Sequence, residues 1–285
     1  MPLPLFVSKT IHHEALDWAT RASANGGLIS TTTIRAVSNF CAAVDTAGIR
    51  SAMYRVNMFC GGNLSGCLVP LYRGPVFGGT SYGNPTDTAN NFVSADFVET
   101  GSGAGLKGNG TNKFLNTGLA SNVLPSGASN HLSASGTGLA TSGDKISLGS
   151  FTNAALSGLF TLDEFSAGYS GGVRAFRSGT YTAGQFPQVT APGSVESHII
   201  GSRTSATSCV LYRGGSSAAS NATSLTIIGN AYPIYVFTLN TTNNAVTSGC
   251  SAGTYRMYSI GTGLDASQAS AFSAAVIAFN NALGR

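Results

Sequence analysis

The chain has 285 residues, of which 42% are hydrophobic, 9% are charged and 37 are glycine, and its formal net charge is +4. A chain of this length can bury a large core, and its hydrophobic content excludes a solvated disordered protein. Lysine and arginine never form a run, and no apolar stretch reaches the roughly 18 residues that a membrane span needs, so neither nucleic acid nor a membrane is an expected partner.

The N-terminal residues, MPLPLFVSKT, have neither the basic start nor the long apolar segment of a secretory signal peptide. We therefore expect a protein that is made and folded in the cytoplasm.

The first 50 residues predict two helices. Residues 12–24 carry apolar side chains at helical spacing, and Asn25-Gly26-Gly27 then ends the helix. A second helix is predicted to begin at Ser30 or Thr31 and to end at residues 46–48. Its apolar stripe consists of Ile34, Val37, Phe40, Cys41 and Val44. This helical hairpin carries no catalytic pattern.

From about residue 50 the pattern changes to short β-strands. Segments rich in β-branched and aromatic residues alternate with clusters of Gly, Ser, Asn and Pro, which is typical of an antiparallel sandwich or barrel. Long helices do not alternate with these segments, which argues against a parallel α/β core. The predicted strands are 69–73, 91–98, 113–116, 146–148, 173–177, 198–203, 209–213, 234–239 and 254–260.

The chain ends in a predicted helix over residues 265–283. Asp265 is placed to cap this helix, with Gln268 at the third helical position, a variant of the capping box. One face carries an apolar stripe that we expect to dock onto the β-strands, namely Ala269, Phe272, Val276, Phe279 and Leu283.

Several stretches, taken in order, resemble the concanavalin A-like (laminin G-like) jelly-roll module of phage and prophage virion proteins. They are GLKGNGTNKFLNTGL (105–119), HLSAS (131–135), HIIGSRTS (198–205), CVLYRGGSSAASNAT (209–223), YPIYVFTLN (232–240) and the segment from TYRMYSIG at 254 to the C-terminus. The segment ALDWATRASANGG, with LVPLYRGP further on, resembles the leader of such proteins. The resemblance implies a twisted two-sheet sandwich that serves as a decoration, fibre or adhesin module.

We therefore predict a mainly β protein, a concanavalin A-like antiparallel β-sandwich (jelly roll) with a short N-terminal helical hairpin and a C-terminal helix. Residues 1–50 are expected to form a helical leader, residues 51–100 a β-rich connecting or oligomerisation region, and residues 101–285 the sandwich. The expected function is that of a non-enzymatic structural protein of a bacteriophage virion, a capsid decoration or a tail or fibre component. Its expected partners are copies of itself and other virion proteins.

The alternative function is a carbohydrate-binding receptor-recognition module of a phage tail or adhesin, whose partner would be a host cell-surface glycan. Tyr72, Tyr82 and Tyr212 are the candidate residues for stacking on a sugar, and Tyr169, Tyr181 and Tyr232 are further tyrosines of the same kind. Tyr72 and Tyr212 share the repeated tetrapeptide LYRG, which is also typical of a strand that ends in a glycine turn. Any of these tyrosines can instead be a core residue or part of a cross-strand pair.

No catalytic site or cofactor is predicted. A glycosidase needs two carboxyl groups about 5–10 Å apart, and the closest sequence pair, Asp163-Glu164, would point to opposite faces of a strand. A single Gly-x-Ser-x-Gly match at residues 168–172 precedes a predicted strand rather than a helix, so we interpret it as a turn. His12 and His13 are adjacent on a helix and are poorly placed to share a metal ion, while His131 and His198 fall in predicted strands.

Asp87 is the candidate ligand for a metal ion. It lies in an oxygen-rich loop with Asn84, Asn90 and Asn91, but it is the loop's single carboxylate, and an Asx turn set up by Pro85 explains the same sequence.

The five cysteines show no metal-binding spacing. Cys60 and Cys67 flank a turn-forming loop, so we expect either two packed thiols or a disulfide, local or between subunits, formed after release from the reducing cytosol. Cys41 is expected to be a small buried apolar residue of the second helix.

Overall fold

The computed structural model describes residues 10–125, 127–152, 158–166, 173–179, 185–190, 193–224 and 229–285. The described residues contain four α-helices, α1 (His13–Ala24), α2 (Thr31–Thr46), α3 (Leu64–Cys67) and α4 (Ala266–Ala282). Short 3-10 helices lie at Arg50–Ala52, Ser94–Asp96, Ser121–Val123 and Thr247–Gly249. No helix in this part of the chain is long and apolar enough to cross a membrane.

The three long helices confirm the sequence-based predictions, because their end signals are local. The side chain of Ser30 accepts a hydrogen bond from the Thr33 amide and caps α2. Asp265 and Gln268 form the predicted capping box of α4. Helix α1 ends at Asn25, and Gly26 follows with φ of +88°, a conformation that favours glycine.

The strands are short and numerous, as the alternation of apolar runs and turn residues predicts. In chain order they are β1 (Met53–Asn57), β2 (Thr88–Asn90), β3 (Phe97–Val98), β4 (Gly105–Lys107), β5 (Phe114–Ala120), β6 (Asn130–Thr137), β7 (Lys145–Phe151), β8 (Leu159–Phe165), β9 (Val173–Gly179), β10 (Gln188–Thr190), β11 (Val195–Ser205), β12 (Ser208–Arg213), β13 (Ser216–Asn221), β14 (Pro233–Val236), β15 (Leu239–Thr241), β16 (Asn244–Ala245) and β17 (Thr254–Gly261).

These strands form two sheets, which confirms the predicted antiparallel β-sandwich. The first sheet has the order β13-β12-β11-β6-β17-β4-β3, and β1 pairs with β17 beside this path. The second sheet has the order β10-β9-β8-β7-β14-β5-β2, and β15 and β16 are attached through β7. Pairing is antiparallel except between β15 and β7. Strand β1 lies in the predicted connecting region, residues 51–100. It pairs with β17, so residues 53–57 belong to the first sheet.

Three strand predictions were wrong in whole or in part. Residues 69–73 form no continuous strand. Tyr72 makes an isolated antiparallel bridge with Val56, while side chains of α1 bind the carbonyl groups of Val69, Pro70 and Leu71. Within 91–98 only the last two residues are a strand, since Ser94–Asp96 forms a 3-10 helix. The predicted strand 234–239 is split into β14 and β15 at Phe237, whose φ is +72°.

The central strands of the first sheet, β6, β11 and β17, are buried on both faces. Adjacent residues of β17 show this, because Met257 belongs to a core cluster formed with the helices, whereas Tyr258 belongs to the cluster between the two sheets. The helix-covered cluster includes Trp18, Phe40 and Phe272, and the ring of Phe272 meets that of His198 on β11 at 4.9 Å. The whole predicted stripe of α4 is buried in this cluster, so the C-terminal helix docks as expected.

The capping box of α4 gives a test of local helix stability. We expect Asp265→Ala to lower the free energy of unfolding by about 1 kcal/mol, because the amide of Gln268 loses its acceptor. Asp265→Asn is the matched control and should remain close to the wild type, since asparagine caps helices about as well. Urea unfolding followed by circular dichroism measures both, and an unchanged Asp265→Ala variant would contradict the assignment.

Candidate functional site

The structure does not bring the predicted tyrosines together at one surface. Tyr72 and Tyr212 are 1% and 4% exposed and belong to the helix-covered core, so neither can offer a ring face to a sugar, and their assignment as glycan-binding residues was wrong. Tyr82 is half-buried and its ring packs on Tyr54 at 5.5 Å. Tyr232 is half-buried beside β14. Tyr169, Tyr181 and the Gly-x-Ser-x-Gly match lie outside the described residues.

Asp87 is not an open ligand for a metal ion, which corrects the sequence-based hypothesis. Its Oδ1 atom accepts hydrogen bonds from Arg55 Nη2 at 2.7 Å and from the Tyr258 hydroxyl at 2.7 Å. Its Oδ2 atom accepts from Asn57 Nδ2 at 2.8 Å. Both Arg55 and Asp87 are fully buried. The carboxylate therefore serves as the internal partner of a buried arginine.

The five cysteines are free and buried. Within the predicted turn-forming loop, residues Leu64–Cys67 form a helical turn capped by Asn63. Cys60 packs in the helix-covered cluster, whereas Cys67 packs in the cluster between the sheets. In this structure the two residues are therefore packed thiols and do not form the alternative disulfide. Burial raises the pKa of both thiols.

Asp163 and Glu164 point to opposite sides of β8, as their adjacency predicts. Glu164 accepts a hydrogen bond from the hydroxyl of Tyr255 on the first sheet, so it lies between the sheets. Asp163 forms an ion pair with Arg177 on the other face of the second sheet, at 2.7 Å. Burial raises the pKa of the Asp163 carboxyl against the opposing effects of Arg177 and the Thr161 hydroxyl. The two carboxylates cannot act on one glycosidic bond.

Two histidines belong to a buried polar chain under α4. His131 contacts the Thr262 carbonyl oxygen through Nδ1 and the Ser259 hydroxyl through Nε2. Ser259 contacts Ser133 at 2.6 Å, and Ser133 contacts His198 Nε2 at 3.0 Å. Burial lowers the pKa of His131 to about 4 and that of His198 to about 3. Complete burial withholds these serine–histidine contacts from any substrate, so they are structural.

His12, Glu14 and Cys41 come together with their ligand atoms within 4.8 Å of one another, but they do not fit a metal ion. Both oxygens of Glu14 accept from Arg50 Nε. His12 Nδ1 accepts from the Glu14 amide, and His12 Nε2 contacts Asp45. Burial raises the pKa of Cys41 to about 12, which disfavours the thiolate that a metal requires.

A polar cavity among the described residues lies between α1 and residues 71–81. We call it the arginine cleft, and it encloses about 180 Å³. Its charged lining residues are Glu14, Asp17, Arg21, Arg50 and Arg73, and the hydroxyl-bearing residues Thr80 and Ser81 also line it. This volume accommodates several water molecules, so the cleft can hold a small polar ligand or one ring of a larger one.

Two of the arginines are held rigidly by the protein. Arg50 bonds Glu14, donates to the Gly74 carbonyl oxygen at 2.8 Å and lies 3.9 Å from the centre of the Tyr72 ring. Arg21 donates to Asp17 and to the carbonyl oxygens of Pro70 and Leu71 at 2.8–2.9 Å. These contacts fix the walls of the cleft and explain why Tyr72 is buried beneath it.

The rim of the cleft is apolar on one side. Val76 and Phe77 are 63% and 49% exposed, and the Phe77 ring makes an edge contact with His13 at 4.6 Å. His13 in turn stacks on His12 at 4.4 Å. The cleft therefore combines charged groups, hydroxyl groups and an accessible aromatic ring. Sequence reasoning missed it because its members are far apart in the chain; the one signal was the LYRG tetrapeptide that contains Arg73.

Comparisons with known proteins give a likeness in shape. No protein-family model matches the chain, and no curated protein matches it. Among solved structures, NanB sialidase from Streptococcus pneumoniae is 13% identical with a TM-score of 0.42 over 58% of this chain and 27% of its own. A mutant Trypanosoma rangeli sialidase that displays trans-sialidase activity is 11% identical with a TM-score of 0.49 over 86% of this chain and 39% of its own.

A third similar structure is domain 4 of an extracellular arabinanase from Geobacillus stearothermophilus in complex with arabinotriose. It is 13% identical with a TM-score of 0.45, over 78% of this chain and 98% of its own. This chain thus spans only a quarter to two fifths of the two sialidase chains. None of the three structures is of a virion protein, and these likenesses assign no ligand to this chain.

The buried pair of Arg55 and Asp87 gives a test of stability. We expect Asp87→Ala to lower the free energy of unfolding by about 3–5 kcal/mol, because it leaves the Arg55 guanidinium buried without its carboxylate. Asp17→Ala is the control, since it breaks an exposed ion pair and should cost about 1 kcal/mol or less. Denaturant titration measures both, and equal losses would contradict the structural role of Asp87.

The buried histidines predict a loss of stability in acid. Their folded-state pKa values lie below the unfolded value of 6.5, so the stabilisation is complete above pH 6.5 and is lost as the pH falls toward 4 and 3. For His131 the loss reaches about 3 kcal/mol near pH 4. Urea titrations from pH 7 to 4 measure it. We expect a flatter profile for His131→Asn than for the wild type or for His13→Asn, which changes an exposed histidine. Identical profiles in all three proteins would refute this prediction.

Proposed function

We propose that this protein is a carbohydrate-binding β-sandwich module and that the arginine cleft is its binding site. The observation that supports the proposal is the convergence of fixed charged groups, hydroxyl groups and a half-exposed phenyl ring in one polar cavity. A sugar offers many hydroxyl groups together with apolar C–H faces, so it needs several oriented polar partners and one flat apolar surface.

The rigidity of the cleft favours binding of a polar ligand. Arg21 and Arg50 are already held by hydrogen bonds to the protein, and the Arg50 plane is fixed against Tyr72. Binding would therefore order few side chains, and little of the interaction energy would be lost to entropy. Phe77 supplies the apolar surface, and its exposed half is available to a sugar ring.

A structural role in a virion is the second candidate, and it rests on the sequence resemblance to phage modules and on the low content of charged residues. Location in a virion and assembly with virion proteins are part of this proposal. The exposed apolar side chains of Val76 and Phe77 fit this role as well, because a second copy of the chain could cover them. The two candidates differ in whether Phe77 contacts a sugar or a protein.

Phe77→Ala tests the proposed function. We expect binding to the glycans that the wild type captures on an array to weaken about tenfold, because the ring contributes on the order of 1.4 kcal/mol of stacking and burial. Leu28→Ala is the matched control, since Leu28 is 70% exposed and does not line the cleft. Affinities are then measured by calorimetry with the strongest glycan of the array.

Light scattering on the same proteins separates the two candidates. If the wild type binds no glycan and forms oligomers that Phe77→Ala dissociates, the carbohydrate proposal fails and the structural role gains support. If Phe77→Ala and Leu28→Ala bind glycan equally well, the site is not the arginine cleft.

A further inference from the structure

Arg73 stands apart from the other charged residues of the arginine cleft. Glu14 pairs with Arg50, and Asp17 pairs with Arg21, at 2.8 Å in each case. The guanidinium of Arg73 makes no hydrogen bond and no ion pair with any described residue, although its backbone carbonyl oxygen accepts from the Tyr82 amide. The charged lining residues therefore comprise three cations and two anions, and Arg73 is the cation that makes no ion pair with a described residue, although Asp17 attracts it at longer range.

In the second LYRG tetrapeptide, the arginine has a carboxylate partner. Arg213 forms an ion pair with Glu196 at 2.7 Å. The same four residues are thus present twice, once with a carboxylate partner for the arginine and once without one. The tetrapeptide sequence therefore does not decide whether its arginine has a carboxylate partner. For Arg73 the surrounding residues of the cleft decide it.

The position of Arg73 also suits an elongated ligand. A second depression of about 340 Å³ shares two lining residues with the cleft, Arg21 and Arg73. Asn25, Pro85 and Thr86 form the far side of this depression. A chain of two or more sugar rings that lies in both spaces would pass directly along Arg73.

We propose that the ligand is an acidic oligosaccharide whose carboxylate pairs with Arg73 at the junction of the two depressions. This inference rests on the proposed function. A guanidinium binds a carboxylate through two parallel hydrogen bonds, which a neutral hydroxyl group cannot match. Partial burial and then the nearby charge of Arg21 lower the pKa of Arg73, against the opposing effect of Asp17, so an anion at this point would relieve the repulsion between two cations.

The test is an array that presents acidic oligosaccharides beside uncharged counterparts, uronic acid oligomers beside their methyl esters and sialylated chains beside desialylated ones. We expect the wild type to bind the acidic member of a pair at least about tenfold better, the range of one charge-assisted pair. Arg73→Gln should abolish this preference and Arg73→Lys should retain part of it. The preference should weaken as salt is raised, because the pair is partly exposed.

Arg35→Gln is the matched control, since it removes an exposed arginine of α2 that does not line the cleft. If the wild type binds acidic and neutral members equally, or if Arg73→Gln keeps the preference, the carboxylate inference is wrong while the carbohydrate proposal stands. If the wild type binds no member of the array, the proposed function itself fails. Sodium acetate as a competitor completes the test, and displacement of neutral glycans by acetate as strong as that of acidic ones would also overturn the inference.

Discussion

The buried contact of Arg55 with Asp87 is the constraint on which the cleft side of the molecule depends. Arg55 lies on β1, in the sheet that helices cover, and it also donates to the carbonyl oxygens of Tyr82 and Asn84. A charge this deeply buried is tolerable only with full compensation, so the segment around Asp87 has one stable position. Arg21 holds the other end of the same excursion at Pro70 and Leu71. Residues 71–81 are therefore a loop anchored at both ends, and the cleft is the space between this loop and α1.

The central strands of the first sheet are buried on both faces, and this burial restricts which side chains the helix-covered face can carry. A sheet face packed against helices must be apolar or fully hydrogen-bonded, and this one is both. Met257 and Phe272 provide the apolar contact, while His131 and His198 continue the contact as a chain of hydrogen bonds through serine hydroxyl groups. The histidines are neutral members of a core, and the serines that contact them belong to the same buried packing. The arginine cleft lies outside this buried contact, between α1 and residues 71–81.

Much of the fold could be predicted from the sequence because its signals are local. The caps at Ser30 and Asp265 and the spacing of apolar residues define α2 and α4 without knowledge of the tertiary structure. The strand predicted at residues 69–73 was wrong because β propensity competes with partners from elsewhere, here the side chains of Trp18 and Arg21. The candidate site was harder to predict from the sequence than the strands were. Whether Tyr72 is exposed depends on the helices that cover it, and the contact of Glu14 with Arg50 joins residues 36 positions apart.

Alkylation of the five buried thiols can report where the structure opens locally. A thiol that is packed, and whose pKa is raised by burial, is nearly inert toward alkylating reagents, so labelling must wait for the surrounding structure to open. Cys41 lies among the helices, Cys67 and Cys209 lie between the sheets, and Cys250 follows the 3-10 helix at Thr247–Gly249. The order in which these residues become labelled under native conditions would rank the opening free energies of the helical layer, the sandwich core and its margin, within one unmodified molecule.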